Sequence, residues 1–312
     1  MTGLSRRALL RTSGALAGMA LGGGLVSGCA PAPPRPPEPF RLGTGPEGAV
    51  YREIGLALAG VLDRAWGRPV VELVYTDAAP ENMEMLTGGR VEMAFVNVDV
   101  AAEHSGQVMA LARVFDSVMH VLVPADSRAR DLRDLDGATL AAGMPLSGTR
   151  YLSRRLLEQA GSEVDLRSYS QADSVRAFRS GEVDAVLSLT GMPTPAVTEL
   201  ARDGAVRLLD LTAQIEPLVR ARPLEYVPVV VPATMYPPME SAPALAVPTL
   251  LAVQPSMDQE LANWLTAVLF DNAAELSRVR GEASQINPRT GAATTPVTLH
   301  PGARRWFRER KP

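Results

Sequence analysis

The chain of 312 residues has one cysteine (Cys29), one lysine (Lys311) and three histidines. A lone thiol cannot close a disulfide within the chain. A lysine confined to the C-terminal end removes Schiff-base chemistry from the core. His104, His120 and His300 lie far apart with no orienting motif, and no His/Cys/Asp spacing resembles a metal-ligand set. Neither metal binding nor histidine-dependent catalysis is therefore expected. The formal net charge is −3, with 21% charged and 46% hydrophobic residues, and no basic cluster beyond Cys29 offers a nucleic-acid footprint. No segment beyond the N-terminal one is long and apolar enough to span a bilayer. The glycine turns lack the Gly-Lys-Ser/Thr of a phosphate loop, and Gly43-Thr44-Gly45 lacks the third glycine of a dinucleotide fingerprint, so no cofactor is expected.

What is present begins with a targeting segment. Arg6, Arg7 and Arg11 precede an apolar stretch from Ala15 to Val26, diluted by glycine and ending at Val26-Ser27-Gly28-Cys29. That stretch falls short of the roughly 20 residues of a spanning helix. Ser5-Arg6-Arg7-Ala8-Leu9-Leu10 resembles a twin-arginine export signal, and Val26-Ser27-Gly28-Cys29 resembles a lipobox, whose cysteine receives a lipid and becomes the new N-terminus. The expectation is a signal peptide over 1–29, a lipid on Cys29 holding the protein at the outer face of a membrane, and a proline-rich tether over 30–39. Such a tether extends by about 3 Å per residue.

The remaining residues are enough for two medium α/β lobes. Phe40 to Leu42 reads as a strand, Gly43 to Gly48 as a glycine turn, and Val50, Ile54, Leu58, Val61 and Leu62 as one face of a helix. A strand over 70–75, a helix through 81–86 with Pro80 in its first turn, and a buried strand over 91–96 follow. The same order returns as strand 138–142, glycine turn 143–149, helix 151–160, strand 166–169, helix 172–179 and strand 183–189. Gly89-Arg90-Val91-Glu92-Met93-Ala94 and Gly181-Glu182-Val183-Asp184-Ala185-Val186 occupy equivalent places in this degenerate βαβαβ repeat. Apolar segments 119–124 and 246–253 read as crossings between lobes, giving lobe I as 40–122 plus 247–312 and lobe II as 123–246. A helix is expected around Met257 to Val279 and another after His300-Pro301. The parallel order places a ligand at the strand C-terminal ends, where both glycine turns meet helix N-termini that favour an anion.

From Phe40 onward the chain resembles the TAXI family, the solute receptors of tripartite ATP-independent periplasmic (TRAP) transporters. The resemblance rests on the order of LGTGPEG with Val50-Tyr51, PENMEMLTGG with VEMAFVNVDVA, Arg133 to Gly137, GMPLSGT, SGEVDAV, LTGMP and His300-Pro301-Gly302-Ala303. It implies an α/β, two-lobed periplasmic-binding-protein fold of type II kind that closes on a small organic anion or amino acid, a dicarboxylate or glutamate relative among them. It also implies TRAP permease subunits as partners and no catalysis. Carried onto this chain, it implies ligand contacts from Gly43, Thr44, Gly45, Glu47 and Tyr51 in the first turn, and from Asn82, Asn97 and Asp99 after the next two strands. Ser147, Gly148 and Thr149 would contribute from the second turn, and Gly191 with Pro193 from the end of the late strand. Three of these residues also have a structural reading: Asn82 as a turn staple, Tyr51 as core, Asp99 as a helix cap.

The chain departs from the family's pattern at Pro46, Glu47, Ala49 and Val50, where small or hydroxyl residues are usual, at Ala79 in place of serine, and at Asn97 in place of a longer amide. Glu47, if it faced the cleft, would repel a ligand carboxylate unless the ligand brought an ammonium or Arg52 neutralised it, which points away from a simple glutamate-like ligand. A ligand-sensing lipoprotein that signals to a membrane kinase would use the same cleft.

Overall fold

The computed structural model describes residues 33–310, so the signal segment, the lipobox and Cys29 lie outside the described residues. Ten strands form one mixed sheet: β1 (Phe40–Gly43), β2 (Val71–Val74), β3 (Met93–Asn97), β4 (Met109–Pro124), β5 (Thr139–Ala141), β6 (Asp165–Arg167), β7 (Ala185–Thr190), β8 (Val206–Leu208), β9 (Val227–Val231) and β10 (Ala242–Val253). The helices are α1 (Val50–Trp66), α2 (Ala79–Thr87), α3 (Val98–Ala102), α4 (Gly148–Ala160), α5 (Gln171–Arg179), α6 (Pro195–Ala201), α7 (Thr212–Ala221), α8 (Gln259–Asp271), α9 (Ala273–Val279), α10 (Pro288–Gly291) and α11 (Pro301–Glu309). Among the described residues no helix is long and apolar enough to cross a membrane.

The sheet order, β2-β1-β3-β10-β4-β7-β5-β6, carries the repeat seen in the sequence. β1 pairs in parallel with β2 and β3, with Leu42 opposite Met93. β5 pairs in parallel with β6 and β7, with Leu140 opposite Ala185. Each half is thus a β-α-β-α-β unit with its first strand in the middle, and both put their glycine turns at strand C-terminal ends.

Two long antiparallel strands join the halves. β4 pairs with β10 from Met109 to Val118 and with β7 from Val118 to Leu122. β10 pairs with β9 up to Ala246 and with β3 from Thr249 onward. The first half of β4 was not anticipated from the sequence, and its partner changes at Val118, ahead of the boundary expected after residue 122. Pro248 sits between the two partner exchanges of β10, where its missing N–H leaves no ladder bond to β3 unmade.

Local chemistry explains the elements that hold the site. α1 buries Val50, Ile54, Leu58 and Leu62 and ends at Gly67, whose left-handed φ of 73° lets its N–H reach the Arg64 carbonyl. The helix expected from Met257 to Val279 is two, α8 and α9, broken at Asn272, whose side chain donates to the Val268 carbonyl. Residues 33–39, expected to belong to a free tether, lie on the body: Pro36 is buried and the Trp66 indole donates to the Pro34 carbonyl at 3.0 Å. The reason is that an indole N–H at the end of α1 needs an acceptor and an extended proline segment offers bare carbonyls.

α11 docks on α8 through Gly302, where an added Cβ would come within 2.2 Å of the Gln259 carbonyl and 2.8 Å of the Asn263 N–H. Both are backbone atoms and cannot yield. Gly302→Ala should therefore cost about 1–3 kcal/mol in a urea titration, and an unchanged midpoint would show that the two helices separate freely.

Candidate functional site

The two glycine turns face one cleft. Pro46, Ala49 and Tyr51 line it from the first half, Gly143, Ser147 and Thr149 from the second. Its cavity volume is about 70 Å³, room for on the order of five waters and so for a small solute. The halves touch across it: the Leu146 N–H donates to Asp77 Oδ2 at 3.4 Å, and Asn97 Oδ1 lies 2.7 Å from where a Cβ on Gly148 would stand.

The floor is a knot of hydroxyl and amide groups around Thr249 of β10, which is fully buried. Its Oγ1 lies 3.1 Å from Ser117 Oγ, 3.3 Å from Asn97 Nδ2 and 3.4 Å from the Tyr51 hydroxyl. Tyr51 also packs on Phe95 and Phe115, and burial pushes its phenol well above its ordinary pKa, so it is neutral. It is wall and core at once. The Asn97 Oδ1 accepts no hydrogen bond among the described residues although the side chain is 3% exposed.

The walls end in helix N-termini. α1, α4 and α5 all start at the cleft, each leaving first-turn N–H groups without an intrahelical partner. Gly143, at φ 70°, makes the second turn possible, since a Cβ there would lie 2.6 Å from Ser147 Oγ. Ser147 caps α4 by accepting from the Arg150 N–H and donates its own proton to the Met144 carbonyl at 2.8 Å. Its hydroxyl proton is spent on the turn and not on a solute. Thr149 accepts from the Leu189 N–H at 3.0 Å and keeps its proton for the cleft. Beneath the turn, the buried Arg150 guanidinium donates to the carbonyls of Gly143, Leu166 and Arg167 and to Ser168 Oγ, and forms no salt bridge with a carboxylate among the described residues. Burial lowers its pKa.

Of the residues implicated by resemblance, Tyr51, Asn97, Ser147, Gly148, Thr149 and Gly191 line the cleft. The rest do not. Gly43, Thr44 and Gly45 are buried beneath the first turn, where Thr44 Oγ1 donates to the Val74 carbonyl. Asn82 is fully buried and fully paired: Nδ2 donates to Thr44 O and Phe95 O, and Oδ1 accepts from Thr76. It binds β1 to β3 and offers a solute nothing. Glu47 is exposed and outside the lining, while Arg52 stacks over Tyr75, 3.9 Å from the ring centroid, rather than pairing with it. Pro193 is exposed on the far side of its loop.

Asp99 lies behind the cleft, 1% exposed, accepting from the Tyr226 hydroxyl at 3.0 Å and the Val100 N–H at 2.9 Å. Arg155 joins the cluster, donating to Tyr226 and Tyr151 and pairing with Glu103 and Glu225. The cluster ties α3 of the first half to α4 and Tyr226 of the second.

The sequence reading missed Asp77, Ser117, Tyr169, Gln171 and Thr190, all of which line the cleft. The repeat itself held the signal for three of them, because the residues just after β2 and just after β6 occupy equivalent places. Ser117 lay on the unrecognised half of β4.

Asn82→Ala would remove three buried hydrogen bonds, leaving the Thr44 carbonyl and the Thr76 hydroxyl to pair with each other and taking the amide donor from the Phe95 carbonyl, so it should cost about 2 kcal/mol by urea denaturation; a loss under about 1 kcal/mol would mean water replaces the amide. Burial pushes the Asp99 carboxyl up to about 6, against the pull of Tyr226 and Arg155. A carboxyl that holds its proton more tightly when folded adds stability that is full below about pH 4 and lost as the pH rises through about 6. Relative to Asp99→Asn, the wild type should gain about 1 kcal/mol between pH 7.5 and pH 5. A pH-independent difference between the two would refute the shift.

Residues 42–310 match the NMT1-like family. Among solved structures, XAC2383 from Xanthomonas citri bound to chloride ion superposes with a TM-score of 0.53 at 17% identity, over 86% of this chain and 95% of that one. The Cysteine-Binding Protein from Campylobacter jejuni superposes with a TM-score of 0.51 at 14% identity, over 80% of this chain and 90% of that one. At such identities the likeness is one of fold: the mixed α/β architecture with a curled sheet found in periplasmic solute-binding proteins. With the match running through nearly all of the described chain, the protein belongs to the NMT1-like family.

Proposed function

We propose that this protein is an extracytoplasmic solute receptor of the TAXI kind, exported and held at the membrane by a lipid on Cys29. It closes on a small organic anion or amino acid and delivers it to TRAP-type permease subunits. The observation that carries the reading is the convergence of two equivalent glycine turns, one from each half of the sheet, on a single cleft sized for a small solute. A cysteine-binding protein with the same fold supports it. Ser147 is occupied as a helix cap and, among the described residues, no histidine lines the cleft, so the site offers a solute hydrogen bonds rather than a nucleophile and its base.

Closure is a bend where β4 and β10 exchange partners, near Ser117–Val118 and Ala246–Val247, so that lobe I and lobe II move as the two halves of the sheet. On the rim, Gly191 packs on Glu282, a buried carboxylate 2.7 Å from Arg280, which also holds Glu53 of α1. A Cβ on Gly191 would stand 2.5 Å from Glu282 Cγ. Ligand binding must supply the energy that selects this closed arrangement.

A thermal-shift screen of the full chain in detergent against amino acids, dicarboxylates and keto acids should find a ligand worth about 2.7 kcal/mol at 100 times its Kd. Gly191→Ala should then weaken that ligand tenfold or more while moving the ligand-free melting temperature little. Unchanged affinity in the variant would show that binding does not require the rim to close.

A further inference from the structure

The charge of the cleft is carried by one side chain. Among the residues that line it there is no arginine, lysine or histidine, and the lone ionisable carboxyl is Asp77, on the turn between β2 and α2. Asp77 spends one oxygen weakly, on the Leu146 N–H at 3.4 Å; its other oxygen accepts no hydrogen bond among the described residues. Its neighbour Ala78, also in the wall, holds φ at 110°, a backbone state strained for a residue with a side chain. The chain maintains this conformation where it turns a carboxylate toward the gap.

Two further polar groups face the cleft. Thr190, 6% exposed, lines the cleft with a hydroxyl that makes no hydrogen bond among the described residues, and Asn97 presents an unused Oδ1. A hydroxyl and an amide oxygen of mostly buried residues thus open on the cleft with hydrogen-bonding capacity that a solute can take up. Opposite them stand the first-turn N–H groups of the 17-residue α1 and the 13-residue α4, which favour negative charge. The α4 turn begins two residues beyond Leu146, so the anion-seeking amides and the Asp77 carboxylate are neighbours across the gap.

We propose that Asp77 is the ammonium acceptor of this site, and that the ligand is a zwitterion, a small α-amino acid with an uncharged side chain, rather than a dicarboxylate or a keto acid. Its carboxylate faces the N-termini of α1 and α4, its ammonium faces Asp77, and Asn97 Oδ1 and Thr190 complete the remaining hydrogen bonds. A second carboxylate in the cleft meets Asp77 with no cation among the lining side chains to offset it. Glutamate-like solutes are thus disfavoured by Asp77, not by Glu47. This inference rests on the receptor reading above.

The test is calorimetric titration of the full chain in detergent at pH 7.5 with matched probes: L-alanine against pyruvate, L-glutamine against L-glutamate, and L-glutamate against 2-oxoglutarate, with succinate alongside. The expected result is at least tenfold tighter binding of the neutral amino acids than of their oxo or dicarboxylic counterparts. Asp77→Asn, which can still accept from Leu146, should weaken the amino acids tenfold or more and leave the oxo acids unchanged or tighter. Asp77→Glu should restore part of the preference. Oxo acids or succinate binding the wild type as tightly as amino acids, or a preference that survives Asp77→Asn, overturns the assignment and leaves the receptor standing. No binding of any probe overturns both.

Discussion

The antiparallel pairing of β4 with β10 is the constraint on which the rest of the molecule depends. These strands run through both halves of the sheet, and the place where they exchange partners is also the floor of the cleft. Ser117 and Thr249, one from each strand, meet there at 3.1 Å, with Asn97 and Tyr51 joined to the same hydroxyl. A register shift follows Thr249 directly. Such an irregularity twists a ladder and re-aims its side chains, which is why a polar knot can sit at the middle of an otherwise apolar sheet. Every residue of the site is placed relative to these two strands.

Polarity in the cleft comes from uncharged side chains, one carboxylate and the first-turn amides of the helices that start there. Because both halves are parallel units with the same winding, helix N-termini gather at one gap from either side. Arg150 reinforces the second of these ends from below: its guanidinium holds carbonyls of the turn and of β6 downward. A buried cation that donates to carbonyls and hydroxyl alone adds positive potential beneath α4 without exposing a side chain to the solute. Asp77 is then the counterweight, and the contrast between fixed amide donors and a single carboxylate gives the site its direction. Asp99, by comparison, is a carboxylate of the scaffold, enclosed by Tyr226, Tyr151 and Arg155 where α3 meets α4.

The strand–turn–helix repeat could be read from hydrophobic spacing and glycine, since those are local properties of the chain. Site membership could not be read in the same way. Asn82 and Asn97 both follow apolar segments and looked alike. One closes three hydrogen bonds with β1, β3 and Thr76 and is finished; the other keeps an oxygen open. The distinction lies in which carbonyls come within reach, and those belong to residues far away in the chain. The same holds for the acidic pair near the first turn. Glu47 seemed the charge to reckon with and is exposed, while Asp77, thirty residues on, lines the gap.

The amino-acid sequence by itself determined the two βαβαβ units and their equivalent turns, because apolar period and glycine act on neighbouring residues. Tertiary structure decided the rest. It made 109–118 the first half of a crossing strand, laid 33–39 against Trp66, consumed Ser147 and Asn82 in scaffolding, and brought Asp77, Ser117 and Thr190 to the cleft. A side chain's availability to a solute depends on whether the fold has already satisfied it, and that is settled only when distant strands meet.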